Sequence, residues 1–223
     1  MTSTTITNIN RRGMLVIISG PSGSGKGTVV KKLNRPDFAL SISMTTREPR
    51  PGEVHGKDYF FTTKENFIKA RENGEFLEHA EFVGNMYGTP RAYVEEQVAV
   101  GKAVILEIDV IGALQIKEKF KDSISVFLIP PSFHDLAERL KNRKTEDIET
   151  IRRRIKRAKS EIEYINNYDY LVINKEIDHA VDDMHRIIDS EYLKPHRNHN
   201  FIDSIKGEDY DASTLIFGTN EQN

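Results

Sequence analysis

The stretch Gly20-Pro21-Ser22-Gly23-Ser24-Gly25-Lys26-Gly27-Thr28 restricts the fold more than any other part of the chain. An apolar run, Met14-Leu15-Val16-Ile17-Ile18, leads into it, and residues 28–33 can continue as a helix. A buried strand therefore feeds a glycine-rich turn, and the turn feeds a helix. Gly20, Gly23 and Gly25 let the backbone curl with its N–H groups pointing inward, at a helix N-terminus whose dipole favours negative charge. Lys26 adds a mobile cation. The spacing fits G-x-x-x-x-G-K, a loop that cradles phosphates, so residues 20–28 are candidate contacts for the phosphates of a nucleotide. A plain glycine turn would need neither the lysine nor these flanks. One position departs from the pattern: Gly27 follows the lysine, and the hydroxyl comes one place later, at Thr28. That weakens direct ligation of Mg²⁺ by this hydroxyl. The loop alone names no reaction, because ATPases, GTPases and small-molecule kinases all use it.

The remaining chain supports an α/β domain around that loop. Short apolar runs at 14–19, 38–43, 103–108, 124–129 and 170–173 alternate with helical patterns, which predicts a mostly parallel sheet with helices on both faces. Ligands of such sheets sit at the carboxyl ends of the strands. Those ends carry the glycine loop, Ser43, Asp109, Pro130 and Asn174. Residues 45–88 read differently, with turns at Arg50-Pro51-Gly52 and His55-Gly56-Lys57-Asp58 and short strand-like pieces at 59–61 and 75–82. A helix over 64–73 starts after Thr63, a suitable N-cap. This stretch reads as an inserted subdomain. An amphipathic helix comes next at 91–100 and stops at Gly101.

Residues 132–157 carry Arg139, Arg143, Arg152, Arg153, Arg154 and Arg157 among interleaved acids, and most of these charges read as a solvated, salt-bridged helix pair. Periodicity fades after Leu193, so 193–223 reads as a poorly ordered tail, with 201–202 and 215–217 as docking points. Residues 1–13 read as a disordered lead without the apolar core of a secretory signal. A chain of 223 residues suits one domain of this kind, and a net charge of −2 gives no basic field to recruit nucleic acid. No apolar run reaches the length of a membrane span. Cysteine is absent, which excludes disulfides and thiol catalysis and fits a cytoplasmic enzyme. His55, His79 and His134 have no second histidine at metal-ligand spacing and read as structural.

A second constellation comes after the second strand: Thr45-Thr46-Arg47-Glu48-Pro49-Arg50-Pro51-Gly52-Glu53, then Gly56 and Tyr59. Two arginines three apart can clasp a phosphate, since each planar fork bonds two oxygens. Together with the glycine loop, the run T-T-R-x-P-R-x-G-E-x-x-G-x-x-Y strongly resembles the guanylate kinases. The likeness continues through Glu75-Phe76-Leu77-Glu78, Asn85-Met86-Tyr87-Gly88-Thr89, Ile105-Leu106-Glu107-Ile108-Asp109 and Pro130-Pro131-Ser132, over about 14–193.

The resemblance implies a P-loop kinase fold: a five-stranded parallel core (14–42, 89–131 and 158–192), an α+β GMP-binding subdomain at 43–88 and a helical lid at 132–157. It implies transfer of the γ-phosphoryl of ATP to GMP, with Mg²⁺, as monomer or homodimer, without nucleic acid or membrane. By the same likeness Arg47, Arg50, Tyr59 and Tyr87 would hold the GMP phosphate. Ser43, Glu78 and Thr89 would read the guanine. Glu107 and Asp109 would lie near GMP and the metal's water shell, with Thr28 also in the outer shell. Arg139, Arg143 and Arg154 match lid arginines, and Asn174 an adenine-side residue. Lys26, Arg47, Arg139 and Arg154 would act in catalysis. Two departures stand out: Ile111 where the family often has Gln, and Lys144 where it has a hinge glycine.

The chemistry of the base supports Glu78 independently. Guanine offers N1–H and N2–H to one carboxylate, whereas adenine would face it lone pair to lone pair, leaving a buried group unpaired. Another nucleoside monophosphate kinase is a rival reading, disfavoured by the arginine run and Glu78. A non-catalytic interaction module is a second, disfavoured by Lys26 and the retained arginines.

Overall fold

A computed structural model describes residues 11–82, 84–141 and 148–208. Its centre is β1 (Met14–Ser19), buried along its whole length. Parallel neighbours flank it on both sides: β7 (Ala103–Glu107) and β8 (Ile124–Ile129) pair with it, β2 (Phe38–Leu40) lies outside β7, and β9 (Tyr170–Ile173) outside β8. The five-stranded parallel sheet is thus the one expected. A strand buried on both faces can be apolar at every position, which is why β1 shows no polar alternation. Met14, Val16 and Ile18 pack with α1 (Lys26–Lys32) and α7 (Ile177–Tyr192) on one face. Leu15 and Ile17 pack on the other, with Val94 of α3 (Arg91–Ala99) and Ala113 and Ile116 of α4 (Val110–Lys119). Each large side chain so buried contributes about 2–3 kcal/mol.

A second sheet has the order β4 (Phe60–Phe61), β3 (Met44–Thr45), β6 (Asn85–Pro90), β5 (Phe76–Phe82). Only β3 and β4 run parallel; the other pairs are antiparallel. α2 (Lys64–Glu72) covers it, with Phe67 stacked on Phe76 at 4.6 Å between ring centres. Thr63 caps this helix as its sequence predicts, its hydroxyl accepting from the Asn66 N–H at 3.3 Å. The pair α5 (Phe133–Lys141) and α6 (Ile148–Ile162) joins through Leu136, Leu140, Ala158, Ile151 and Ile155. α6 runs beyond 157, the expected end of the lid. Arg143 and Lys144 lie outside the described residues. Among the described residues no helix is long and apolar enough to cross a membrane.

The chain ends differ from expectation where they are described. Residues 195–197 form a 3-10 turn and α8 spans His199–Gly207. Arg197 is 2% exposed and bonds the Asp122 carboxylate at 3.1 Å and its carbonyl at 3.0 Å, with Glu191 at 3.7 Å. Arg11 stacks on the Tyr192 ring at 3.4 Å, pairs with Asp37 at 3.0 Å, and the Arg12 N–H reaches the Arg197 carbonyl. Helical periodicity stops at Pro195, so the sequence pattern fades just where a buried ion cluster takes over. A hollow of about 480 Å³ adjoins this cluster, at the end of the sheet opposite the glycine loop. Its acids Asp122, Asp169 and Glu191 are each paired with a basic side chain. Replacing Arg197 by alanine leaves Glu191 to Lys194 and the Tyr170 hydroxyl but removes the buried guanidinium that ties the segment to Asp122, and is expected to cost about 3 kcal/mol. Thermal unfolding measures it, and an unchanged midpoint would show that the cluster does not anchor the C-terminal segment.

Candidate active site

The glycine loop leaves β1 under close constraint. A Cβ at Gly20 would collide with the Leu128 carbonyl on β8, and Gly20 adopts φ 140°. Gly25, at φ 93°, is the N-cap of α1, and a Cβ there would strike the Asn174 amide. Neither position tolerates a side chain, so the loop lies close against the strand ends, and the Ser24 N–H closes it onto the Pro21 carbonyl at 3.1 Å. Lys26 curls over the loop, its Nζ donating to the carbonyls of Gly20 at 2.6 Å and Pro21 at 3.1 Å. Thr28 is exposed.

Three expected site residues brace this loop. Asn174 is 1% exposed and donates from Nδ2 to the Ser24 carbonyl at 2.8 Å. The structure thus sets it behind the loop, where it supports the main chain rather than presenting an amide to a base. Arg139 donates to the Asn174 carbonyl at 2.7 Å and the Ser24 carbonyl at 3.4 Å. Arg154 donates to the Ser22 hydroxyl at 3.0 Å. The helices α5 and α6 therefore each place a guanidinium on the glycine loop.

The second cradle is built on β3 and β6. Thr45 donates to the Met86 carbonyl at 2.9 Å and accepts from the Arg47 N–H at 3.1 Å, which fixes where the arginine leaves the sheet. Nη2 of Arg47 then donates to both carboxylate oxygens of Glu53 at 2.9 Å, while Glu53 also accepts from the Arg50 N–H at 2.8 Å. The Arg47 guanidinium lies 5.3 Å from the Tyr59 ring, and Tyr59 meets Tyr87 edge-on at 6.1 Å. Burial, with the nearby Glu107 charge, pushes the Tyr59 phenol up to about 12, so its hydroxyl remains a donor. Arg47, Tyr59 and Tyr87 are brought together; Arg50 is exposed at the rim. Ser43 is half-buried, its carbonyl accepting from the Phe60 N–H.

Between the cradles runs a wall of carboxylates. Glu78, on β5, is 4% exposed and accepts from the Thr89 hydroxyl at 2.6 Å. Burial pushes its carboxyl up to about 7, the Thr89 hydrogen bond opposes that, and the Asp109 charge adds to it. Asp109 caps α4, accepting from the Gly112 N–H at 2.9 Å. A Cβ at Gly112 would lie 2.6 Å from Glu78 Oε2 and 3.4 Å from Asp109 Oδ1, so only glycine lets the two acids face each other. Glu107 closes the row: its carboxylate lies 3.5 Å from where a Cβ of Gly27 would stand, and its charge is felt by Tyr59. The missing side chain at 27 is thus matched by an acid from β7. Lys31 of α1 pairs with Asp58 of the inserted subdomain at 3.3 Å. Ile111 is 54% exposed and takes no part in this wall's packing. Among the described residues no group of three or more His, Cys, Asp or Glu is arranged to hold a metal ion.

Three residues join the expected set. Glu53 aims Arg47, Gly112 makes room for the acids, and Arg157 contacts Asp109 at 3.5 Å. Glu53 stands in the arginine run already singled out and Gly112 follows Ile111, but only the fold reveals what each touches.

Comparison with known proteins agrees with this geometry. The guanylate kinase family model matches residues 12–191. The chain is 52% identical to a guanylate kinase of Oceanobacillus iheyensis over 191 residues, 85% of this chain and 93% of that protein. It is 44% identical to a guanylate kinase of Caldanaerobacter subterraneus over 203 residues, 90% of this chain and 98% of that one. The crystal structure of guanylate kinase from Anaplasma phagocytophilum superposes with a TM-score of 0.72 at 35% identity, covering 85% of this chain and 91% of that one. By matched length, identity and fold together, the chain belongs to the guanylate kinase family.

Proposed function

We propose that the two cradles divide between them the reaction that family membership assigns to this chain, transfer of the γ-phosphoryl of ATP to GMP. The observation that carries the division is that Glu107, which packs beside Gly27 of the glycine loop, also acts electrostatically on Tyr59, whose ring lies under Arg47, with the Glu78–Thr89 pair as a buried acceptor. Residues 20–28 and Lys26 hold the ATP phosphates. Arg47, Arg50, Tyr59 and Tyr87 hold the phosphate of GMP. Glu78, Thr89 and Ser43 read the base, with Glu107 and Asp109 beside it.

Phosphoryl transfer spreads charge over the moving group, so the protein contributes position and electrostatics. Arg47 offsets the repulsion between acceptor and donor phosphates. Arg139 and Arg154 close over the transferring group and keep water out, which prevents wasteful hydrolysis. No general base is required, because a phosphate monoester with a second pKa of about 6 is already largely ionised near neutrality. Thr28, Glu107 and Asp109 are hard oxygen donors and suit Mg²⁺ carried in with ATP. Thr28 and Asp109 would hold it through water. The ion, when bound, neutralises phosphate oxygens.

A coupled assay of ADP formation with GMP, AMP, CMP and UMP tests the base assignment. GMP is expected to exceed the others by at least about a hundredfold in kcat/KM, the discrimination a buried hydrogen-bonding group provides. Comparable turnover with AMP would remove Glu78 and Thr89 from base recognition.

A further inference from the structure

Asp109 uses its two oxygens differently. Oδ1 accepts from the Gly112 N–H and is committed to the start of α4. Oδ2 faces Nη2 of Arg157 at 3.5 Å. Arg157 in turn donates from Nε to Glu161 Oε1 at 2.7 Å, one turn along α6. An ordinary i,i+4 pair on a solvated helix would need no further account. This one differs in two respects. Glu161 is only 9% exposed, and its second oxygen is buried without a hydrogen bond among the described residues. Arg157 also leaves its own helix to reach an acid on another element, and that acid borders the base wall. Across Gly112 from Asp109 stands the buried Glu78. Two carboxylates so placed repel each other unless a cation attends one of them.

We propose that Arg157 is a positioning residue for GMP recognition, holding Asp109 from the lid helix and so setting the wall that Asp109 shares with Gly112 and Glu78. The proposal rests on the reading of Glu78 as the guanine acceptor. Glu161 fixes the guanidinium from behind, and the guanidinium fixes and partly neutralises Asp109. Glu78 can then keep the negative charge that guanine's two N–H groups require. Arg157 touches neither nucleotide in this scheme; it acts through Asp109.

The test is calorimetric titration of the full chain with GMP, with chelator present and no ATP, so that no metal enters. R157Q is expected to weaken GMP binding about five- to tenfold, while its affinity for a non-hydrolysable ATP analogue in the same buffer stays within about twofold. R157K, which keeps the charge, should restore most of the loss. The double variant R157Q/D109N should bind GMP no more weakly than D109N alone, because both act through one group. Unchanged GMP affinity in R157Q, equal losses for both nucleotides, losses that add in the double variant, or an R157Q chain that does not fold would each overturn the proposal. Glu78→Gln separates the two readings. If it too leaves GMP affinity unchanged, the base pocket itself is wrong. If it alone weakens GMP, only the role of Arg157 fails.

Discussion

Lys26→Ala is expected to lower kcat by about a thousandfold or more while the protein still folds. The two halves of that expectation have separate causes. In the free protein the Lys26 ammonium bonds carbonyls of its own loop, Gly20 and Pro21, from a half-buried position. Losing these contacts costs about 1–3 kcal/mol, a modest share of the stability of a domain this size. The loop itself is held by other means. Gly20 is pressed against Leu128, Asn174 grips the Ser24 carbonyl, and Arg139 grips both. In the proposed reaction, however, Lys26 is the cation facing the transferred group, and the charge it would answer grows as the phosphoryl group moves. Its loss should therefore fall on kcat more than on KM for ATP, the pattern of an interaction strengthened in the transition state. ADP release measured at saturating GMP, beside a melting curve, reads both halves. Near-normal turnover would refute the loop's role, and a collapsed melting curve would make Lys26 structural.

The features legible in the sequence are those fixed by neighbours along the chain. β1 and its glycine turn are visible because an all-apolar strand and an obligatory left-handed Gly25 are local facts. The start of α2 is visible because the Thr63 hydroxyl reaches an N–H only three residues further along the chain. The second strand is shorter than its apolar run suggests: it stops at Leu40, and Ser41 makes one last bond to Ile105 before the chain turns to β3. Contacts between distant residues leave no such mark. Nothing near Arg197 announces that its charge meets Asp122, 75 positions away. Arg157 sits in a run of basic residues where any one could be a solvated charge, and only the approach of α4 to α6 singles it out. Family likeness groups Asn174 with the ligand contacts, and only the fold shows its amide gripping the Ser24 carbonyl under the loop. The recurring reason is that a buried polar group is defined by its partner, and the partner is set by topology.

Glu78→Gln should make the free protein more stable and the enzyme far worse, in the same buffer. The carboxyl titrates near 7 in the fold, against an ordinary value of 4.5, chiefly because it is buried. The native state therefore holds a proton that the unfolded chain releases. The stabilisation this gives is complete below about pH 4.5, declines as pH rises, and is gone above about 7, where the buried charge costs about 3 kcal/mol relative to its neutral form. Glutamine removes that cost and still offers an oxygen to the Thr89 hydroxyl, which donates to Oε1 in the native protein. The melting temperature of E78Q should thus exceed that of the parent at pH 8 and converge with it near pH 5. Guanine binding runs the other way. Only the ionised carboxylate accepts from both N1–H and N2–H, whereas the amide turns an N–H toward one of those donors. KM for GMP should rise about a hundredfold with KM for ATP little changed. In the parent protein the same logic makes GMP binding weaken as pH falls below about 7, beyond what the phosphate's own titration produces, and E78Q should lack that extra slope. Equal effects on both nucleotides would take Glu78 out of the base pocket. A less stable E78Q at pH 8 would mean that the buried charge is compensated by partners other than Thr89. The opposite signs of the two effects are the informative part. A residue kept for packing would lose stability and activity together, whereas one kept for its charge opposes the fold until guanine arrives to share it.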